Sequence, residues 1–118
     1  MKAGPESQSF ILNNQRRKRV EKIITDPNTD FSKGTYVLEF FARWCGTCRQ
    51  VSKSFAALEP QYDAVFIKID TEHEKSLTDL FNVKGIPSVI VLKDGIEVAR
   101  KSESMNVEEF KEFLDSVL

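Results

Sequence analysis

The chain has 118 residues, a formal net charge of −1 and a hydrophobic content of 41%. This length fits one domain with a core of its own, and the mixed composition excludes a disordered or fibrous protein. The near-neutral charge predicts no general attraction to nucleic acids, and no apolar stretch approaches the roughly 20 residues that cross a bilayer.

The N-terminal part of the chain shows a helical pattern between two irregular segments. Residues 9–13 (SFILN) are apolar enough for a first strand, although an extended leader fits them almost as well. Asn13 or Asn14 can cap a helix through Ile24, because the apolar residues near its end have the spacing of one helical face. The segment 25–34 is rich in turn-forming residues and is predicted to be a loop.

A buried strand and a helix follow this loop. Residues 36–41 (YVLEFF) are β-branched or aromatic on both faces, which is typical of a central strand, and Glu39 is the exception among them. The next apolar residues are three or four positions apart, so they share one face of a helix that ends near Pro60. These residues are Cys48, Val51, Phe55 and Leu58.

A second strand and helix come next. Residues 65–69 (VFIKI) have the composition of a strand, and Asp70 or Thr71 can cap the helix that follows. The residues predicted to line the buried side of that helix are Leu77, Leu80 and Phe81.

A hairpin and a last helix complete the chain. Residues 88–92 and 96–100 are predicted strands, and the Asp-Gly pair at residues 94–95 is a strong hairpin signal. Asn106 followed by Glu109 three residues later resembles a capping box. The residues that line the inner face of this helix are Val107, Phe110, Leu114 and Val117.

The predicted elements therefore follow the order β-α-β-α-β-α-β-β-α. Strands that alternate with helices, with a hairpin near the end, predict an α/β fold. Its architecture would be a three-layer sandwich in which helices flank both faces of a central mixed β-sheet. We assign residues 1–8 to a flexible N-terminal leader and residues 9–118 to a single domain.

The main chemical signal is the pair Cys45 and Cys48, which follows the buried strand and opens a helix. Cysteines at i and i+3 are close enough to form a disulfide, and only the first lies at the exposed helix end. There the helix dipole and unpaired N–H groups favour the thiolate, the nucleophile of disulfide exchange. Cys45 is therefore predicted to attack, and Cys48 to resolve the mixed disulfide. A zinc site is the alternative, and it would need His73 beside the pair.

Two segments of the sequence resemble the thioredoxin family. VLEFFARWCGTC, residues 37–48, is similar to the family's active-site stretch, and KGIPSVIVLKDG, residues 84–95, is similar to its cis-proline strand and hairpin. The resemblance implies the thioredoxin fold. It also implies that no cofactor is bound and that the redox centre is the disulfide between Cys45 and Cys48.

The same resemblance indicates which residues bind the substrate. It implies a cis peptide bond between Ile86 and Pro87 that lies against the two cysteines and exposes the backbone of Ile86 to an extended substrate segment. Trp44 would form an apolar rim of this groove, which Gly46 and Thr47 also line. Without the resemblance, Pro87 is only the first residue of a strand and Trp44 an ordinary surface aromatic.

Glu39 occupies the position at which thioredoxins usually carry a buried aspartate and protein disulfide isomerase domains carry a glutamate. The resemblance implies that Glu39 accepts the proton of Cys48. Burial favours the neutral form of a carboxyl group, which suits such a role. The alternative is a strand-edge glutamate whose side chain reaches solvent.

Three residues depart from the family pattern. Thr47 stands in place of the proline of Trp-Cys-Gly-Pro-Cys, and Lys53 in place of a helix-kinking proline, which predicts a straighter helix. Glu103 stands in place of a glycine that borders the substrate groove, and it either lines that groove or points to solvent.

Together these observations predict a thiol-disulfide oxidoreductase that reduces disulfides in protein substrates. The resemblance implies an external dithiol donor such as a thioredoxin reductase. Because the first ten residues lack the apolar centre of a signal peptide, we expect a cytoplasmic protein. We also expect a monomer that binds neither nucleic acids, membranes nor metal ions.

Two alternative functions stay open. Glu39 and Thr47 favour a disulfide oxidase or isomerase in an oxidising compartment. A redox-gated binding module would hold a partner without turnover.

Overall fold

The computed structural model describes the backbone of residues 22–23 and the whole of residues 30–118. The predicted leader, the predicted strand at residues 9–13 and most of the first predicted helix lie outside the described residues. The rest forms a five-stranded sheet. Its strands are β1 (Lys22–Ile23), β2 (Thr35–Phe41), β3 (Val65–Asp70), β4 (Ser88–Lys93) and β5 (Ile96–Lys101).

The strands lie in the order β1-β3-β2-β4-β5, so β2 is central. Strand β3 pairs in parallel with both β1 and β2, whereas β4 pairs antiparallel with both β2 and β5. The sheet is therefore mixed, as predicted. The helices in the described part of the chain are α1 (Gly46–Leu58), α2 (Lys75–Leu80) and α3 (Val107–Asp115), and a 3₁₀ turn (Glu59–Gln61) follows α1.

Side chains on the two faces of the sheet form separate cores, which confirms the three-layer sandwich. On one face, residues of β2, β3 and β4 pack against α1 and α3, with Phe55 and Phe110 among the largest buried side chains. On the other face, alternate residues of the same strands pack around Leu77 of α2. The side chains alternate because successive residues of a strand point to opposite faces.

The prediction of a helix through Ile24 is wrong at residues 22–23, which form strand β1. Lys22 pairs with Ile67 and Ile23 with Lys68 in a parallel register. A short apolar run cannot by its spacing distinguish a helix from a buried strand. The free edge of β3 offers backbone partners to this run, and that pairing decides its conformation.

The hairpin between β4 and β5 is confirmed, with its turn at the predicted dipeptide. Asp94 and Gly95 both have positive φ, 49° and 82°, which matches a type I′ turn. The Asp94 carboxylate also accepts a hydrogen bond of 2.8 Å from the backbone N–H of Gly34, and the Asp94 N–H donates to the Gly34 carbonyl at 2.9 Å. The turn is thereby fixed to the segment that enters β2.

The caps of α1 and α3 and the buried face of α1 follow the predictions, and the face of α3 follows them in part. Helix α1 ends at Leu58 before Pro60, and its predicted apolar residues are all buried. At α3, the Asn106 side chain accepts a hydrogen bond from the Glu109 N–H and the Glu109 side chain accepts one from the Asn106 N–H. This reciprocal pair is the predicted capping box. Of the residues predicted for its inner face, Phe110 and Leu114 are buried, and Val117, which follows the helix, packs partly buried against the same core. The prediction is wrong for Val107, which is 37% exposed because it is the first residue of the helix and lies at the edge of the buried face.

Helix α2 differs from its prediction at both ends. Its N-cap residue is Glu74, so the prediction of Asp70 or Thr71 is wrong. The Asp70 carboxylate instead accepts a hydrogen bond from the Glu72 N–H, and the Thr71 hydroxyl group donates to the Phe41 carbonyl. The helix is only six residues long, so its buried side is short. Leu77 is buried, but Leu80 is 70% exposed and was wrongly predicted to be buried.

Candidate active site

Cys45 and Cys48 form a disulfide at the start of α1, with their Cα atoms 5.3 Å apart. Cys45 is the N-cap residue of the helix, and its sulfur accepts a hydrogen bond of 3.2 Å from the Cys48 N–H. Cys45 is 6% exposed and Cys48 is 2% exposed, so exposure alone barely separates them in this state. Their position does separate them, because only Cys45 lies at the positive end of the helix dipole.

The hydroxyl group of Thr47 lies close to the Cys45 sulfur, at 3.5 Å between Oγ1 and Sγ. Gly46 and Thr47 are both exposed, and their role in substrate binding stays a prediction. A hydroxyl group can donate a hydrogen bond to a thiolate, and charge-assisted hydrogen bonds are stronger than neutral ones. Proline at this position would offer no such donor.

The cis peptide bond implied by the resemblance is present between Ile86 and Pro87. Ile86 packs against a small cluster that contains both cysteines, so the loop before β4 is brought against the redox pair. Trp44 lies next to Cys45 in the chain and is 71% exposed. The structure therefore brings Ile86 against the cluster that contains the disulfide and leaves the residue before Cys45 exposed.

Glu39 lies in the centre of β2 and is fully buried. The alternative that its side chain reaches solvent is therefore wrong. It shares a sheet face with Val37, which packs against α1 and α3. Its carboxylate oxygen Oε2 accepts a hydrogen bond of 2.6 Å from the hydroxyl group of Ser52 in α1.

Sequence reasoning missed two residues beside Glu39, namely Lys68 of β3 and Ser52 of α1. The parallel register of β2 and β3 pairs Glu39 with Lys68, whose ammonium group lies 4.6 Å from the centroid of the Phe41 ring. Lys68 was visible as a polar residue within an apolar strand, but Ser52 gave no signal, because a serine on a helix surface is ordinary.

A second group of charges lies at the end of β3. The Asp70 carboxylate is buried, and it lies 3.6 Å from the Arg43 guanidinium and 3.7 Å from the His73 ring nitrogen. Of the three residues that could form the alternative zinc site, His73 lies next to Asp70, and Cys45 and Cys48 are bonded to each other. The described residues contain no group of three or more metal-ligating side chains that could hold an ion.

Glu103 follows β5, and its side chain is 65% exposed. Its carboxylate lies 3.4 Å from the ammonium group of Lys101, so a neighbouring charge partly offsets its own. This arrangement is that of a solvent-exposed ion pair. A role for Glu103 in substrate selection stays a prediction.

Comparisons with known proteins agree with this arrangement. The thioredoxin family model matches residues 14–116. The chain is 33% identical over 87 residues to thioredoxin Asp f 28 of Aspergillus fumigatus, covering 73% of this chain and 81% of that protein. It is also 33% identical over 99 residues to a thioredoxin of Staphylococcus haemolyticus, covering 80% of this chain and 95% of that one.

A solution structure of oxidised thioredoxin from Plasmodium falciparum has the same fold. The TM-score is 0.73 with 24% sequence identity, and the match covers 82% of this chain and 97% of that one. Among the described residues, no helix is long and apolar enough to cross a membrane.

Proposed function

Because this chain belongs to the thioredoxin family and is a thiol-disulfide oxidoreductase, we propose that it works mainly as a protein-disulfide reductase. The observation that carries the proposal is the disulfide at the N-cap of α1, with the Ile86 loop packed against it. Thioredoxins carry their redox-active disulfide in their own chain and need no cofactor.

The first step is the attack of the Cys45 thiolate on a substrate disulfide. The Cys45 sulfur bonds to one substrate sulfur, the substrate S–S bond breaks, and the other substrate sulfur leaves as a thiolate that water protonates. The N-cap position supports Cys45 in this role, since the Cys48 N–H already points at its sulfur.

The second step releases the substrate. Glu39 takes the proton of Cys48, and the Cys48 thiolate attacks the Cys45 sulfur of the mixed disulfide. The bond between Cys45 and the substrate breaks, the second substrate sulfur leaves as a thiolate that water protonates, and the Cys45–Cys48 disulfide remains. The burial of Glu39 on the sheet face that packs against α1 supports this assignment.

Substrate binding is proposed to occur at the surface beside the disulfide. The backbone of Ile86 would pair with an extended substrate segment in a short piece of β-augmentation, and Trp44 would cover one side. Gly46 and Thr47 would form the floor of this groove, with Glu103 at its border. The exposure of Trp44 and the packing of Ile86 against the cluster that contains both cysteines support this placement.

The partners follow from the reaction. The substrates are proteins that contain disulfides, and an external dithiol donor such as a thioredoxin reductase returns the protein to its reduced form. We propose a cytoplasmic monomer, in which residues 9–118 form the catalytic domain.

Insulin reduction tests the proposal. Catalytic amounts of the chain are expected to speed the reduction of insulin by dithiothreitol, which is followed by precipitation of the free B chain. The matched control is Cys48→Ser, which should form mixed disulfides but not turn over. A wild-type chain with a reversible disulfide and no effect on insulin would contradict the reductase proposal and favour the binding module.

One observation favours the oxidase or isomerase instead. The Thr47 hydroxyl group stands 3.5 Å from the Cys45 sulfur, where it can stabilise the thiolate and hence the reduced form. A titration against glutathione decides between the two functions. A potential near the −270 mV typical of thioredoxin supports the reductase, and one near the roughly −180 mV of protein disulfide isomerase supports the alternative.

A further inference from the structure

Ser52 connects the buried carboxyl group of Glu39 with the surface of the protein. Its hydroxyl group donates a hydrogen bond of 2.6 Å to Oε2 of Glu39. Glu39 is fully buried, whereas Ser52 is only half-buried. Ser52 therefore stands between the carboxyl group and water.

The position of Ser52 in α1 relates it to the resolving cysteine. Ser52 follows Cys48 by four residues, so the two side chains lie on the same stripe of the helix, one turn apart. The hydrogen bond consequently holds the Glu39 carboxyl group against the helix stripe that carries Cys48.

The other serine in this part of α1 is used differently. Ser54 is buried, and its hydroxyl group donates to the backbone carbonyls of Gln50 and Met105. Those bonds join α1 to the segment before α3 and do not involve a titratable group. Ser54 therefore provides a control for Ser52, because its hydrogen bonds only join two backbone segments.

A serine hydroxyl group has the chemistry that a proton path requires. It donates one hydrogen bond and accepts others, and it can rotate between the two roles. It can therefore donate to an ionised carboxylate and accept from a protonated carboxyl group. An alanine at this position could do neither.

Several groups face Glu39 from the neighbouring elements. Among the described residues, β3 presents Lys68 in register, β4 presents the apolar Val89, and α1 presents Ser52, with Cys48 one turn before it on the helix. Lys68 and Ser52 both favour the charged form of the carboxyl group, whereas burial favours the neutral form. Ser52 and Lys68 are both half-buried, and Ser52 is the one that lies on the helix that carries Cys48.

We infer that Ser52 is a positioning residue that holds the Glu39 carboxyl group toward Cys48 and carries the Cys48 proton from Glu39 to water. This inference rests on the proposed role of Glu39. When Cys48 resolves the mixed disulfide, its proton passes to Glu39. The Ser52 oxygen then accepts that proton as its own hydroxyl proton passes to water, so Ser52 is unchanged and Glu39 is again ionised.

Loss of the hydroxyl group has a predictable kinetic effect. Without its donor, Glu39 keeps its proton up to a higher pH, so less of the protein has a carboxylate ready to accept the Cys48 proton. We expect Ser52→Ala to resolve the mixed disulfide about fivefold more slowly at mildly acidic pH. The rates of the two proteins should converge at alkaline pH, where Glu39 is ionised in both.

The experiment follows mixed-disulfide resolution in a single turnover. The reduced protein is mixed with equimolar Ellman's reagent in a stopped-flow instrument, and release of the second thionitrobenzoate is recorded across the pH range. Ser52→Thr keeps the hydroxyl group and should restore the wild-type profile. Ser54→Ala is the matched control and should leave the pH dependence of the resolution rate unchanged. Thermal melting verifies that each variant is folded.

Two further measurements separate a proton role from a packing role. In a Glu39→Gln background, Ser52→Ala should have no further effect on the profile, because Ser52 acts through the carboxyl group. An NMR titration of the Glu39 carboxyl carbon should show its transition at higher pH in Ser52→Ala than in the wild type. This second readout requires no turnover.

Failure of the inference and failure of the proposed function give different results. A Ser52→Ala profile that overlies the wild-type profile, with an unchanged Glu39 titration, would overturn the role of Ser52 alone. A wild-type protein that releases no second equivalent at any pH would instead overturn the proposed resolution by Cys48. An equal slowing by Ser52→Ala in the Glu39→Gln background would also contradict the inference.

Discussion

The sulfur of Cys45 takes the place that a serine or aspartate oxygen usually occupies at a helix N-cap. It accepts the Cys48 N–H at 3.2 Å, and a further donor, the Thr47 hydroxyl group, lies at 3.5 Å. A thiolate at this position is stabilised by both donors and by the helix dipole. At the scale of single residues, the chemistry is therefore concentrated on one sulfur.

We predict that Cys45 of the reduced protein reacts with iodoacetamide faster than Cys48 near neutral pH. The reason is the position of Cys45 at the helix N-terminus, which increases its thiolate fraction. Peptide mapping after brief labelling measures the ratio of the alkylation rates of Cys45 and Cys48. Faster modification of Cys48 would reverse the assigned roles, and Cys45→Ser, with Cys48 as its sole thiol, supplies the reference rate.

We expect Thr47→Val to make the redox potential more negative by about 20 mV, the equivalent of about a fivefold change in equilibrium constant. Valine has the shape of threonine but no hydroxyl group, so the Cys45 thiolate loses one donor and the reduced form is less stabilised. Equilibration with glutathione measures the shift. Thr47→Ser keeps the hydroxyl group and should retain the wild-type potential, whereas a valine variant with an unchanged potential would exclude the hydroxyl group as a determinant.

At the scale of elements, Arg100 of β5 joins the hairpin to the C-terminus of α2. Its guanidinium group donates to the backbone carbonyl of Phe81 at 2.7 Å and that of Asn82 at 3.4 Å. It also forms two hydrogen bonds with the Glu97 carboxylate, at 2.7 and 2.8 Å. Phe81 is the C-cap residue of α2 and Asn82 follows it, so Arg100 satisfies two carbonyl groups just beyond the helix, where the chain turns toward the loop that contains Ile86.

The hydrogen bond from Arg100 lowers the pKa of Glu97 below its usual value. A lowered pKa in the folded state stabilises the protein above the unfolded-state value of about 4.3, and this contribution is lost as the pH falls through the folded-state value. We therefore predict that Glu97→Gln lowers the free energy of unfolding at pH 7 but not at strongly acid pH. Both side chains are partly exposed, so the effect should be at most about 1 kcal/mol.

Urea unfolding at the two pH values measures this difference. Arg100→Met should cost more than Glu97→Gln at pH 7, because it also leaves the Phe81 and Asn82 carbonyls without their donor. A Glu97→Gln effect that persists at low pH would contradict the linkage argument.

At the scale of the whole molecule, the sheet separates two cores and carries the redox site beside the carboxyl ends of β2 and β3. The core on the α1 side holds Phe55 against Phe66, with ring centroids 5.0 Å apart in an edge-to-face arrangement. This core supports α1, and α1 carries both cysteines and Ser52. The stability of the fold and the geometry of the site therefore depend on the same helix.

We predict that Phe55→Ala destabilises the protein by about 3–5 kcal/mol, since it empties a fully buried aromatic site. The matched control is Leu80→Ala at the exposed end of α2, which should change the free energy of unfolding by less than about 0.5 kcal/mol. Urea denaturation of both variants measures the difference. Similar costs for the two substitutions would contradict the assignment of the core.

The sequence by itself determined those features that depend on neighbouring residues. The helix start at Cys45, the turn at Asp94 and the capping box at Asn106 are local, because their backbone conformations follow from residue type and spacing within a few positions. The face that α1 buries is likewise a matter of helical period. The resemblance to the thioredoxin family added the cis bond before Pro87, which residue patterns alone do not indicate.

Only the tertiary structure decided which distant residues meet. The pairing of Lys68 with Glu39 depends on strand register, and the contact of Ser52 with Glu39 depends on how α1 lies on the sheet. Residues 22–23 became a strand because the edge of β3 offered hydrogen-bond partners, and α2 packs on the sheet so that Leu77 is buried and Leu80 at its C-terminal end is exposed. Each of these outcomes is set by contacts between segments far apart in the chain, which local patterns do not encode.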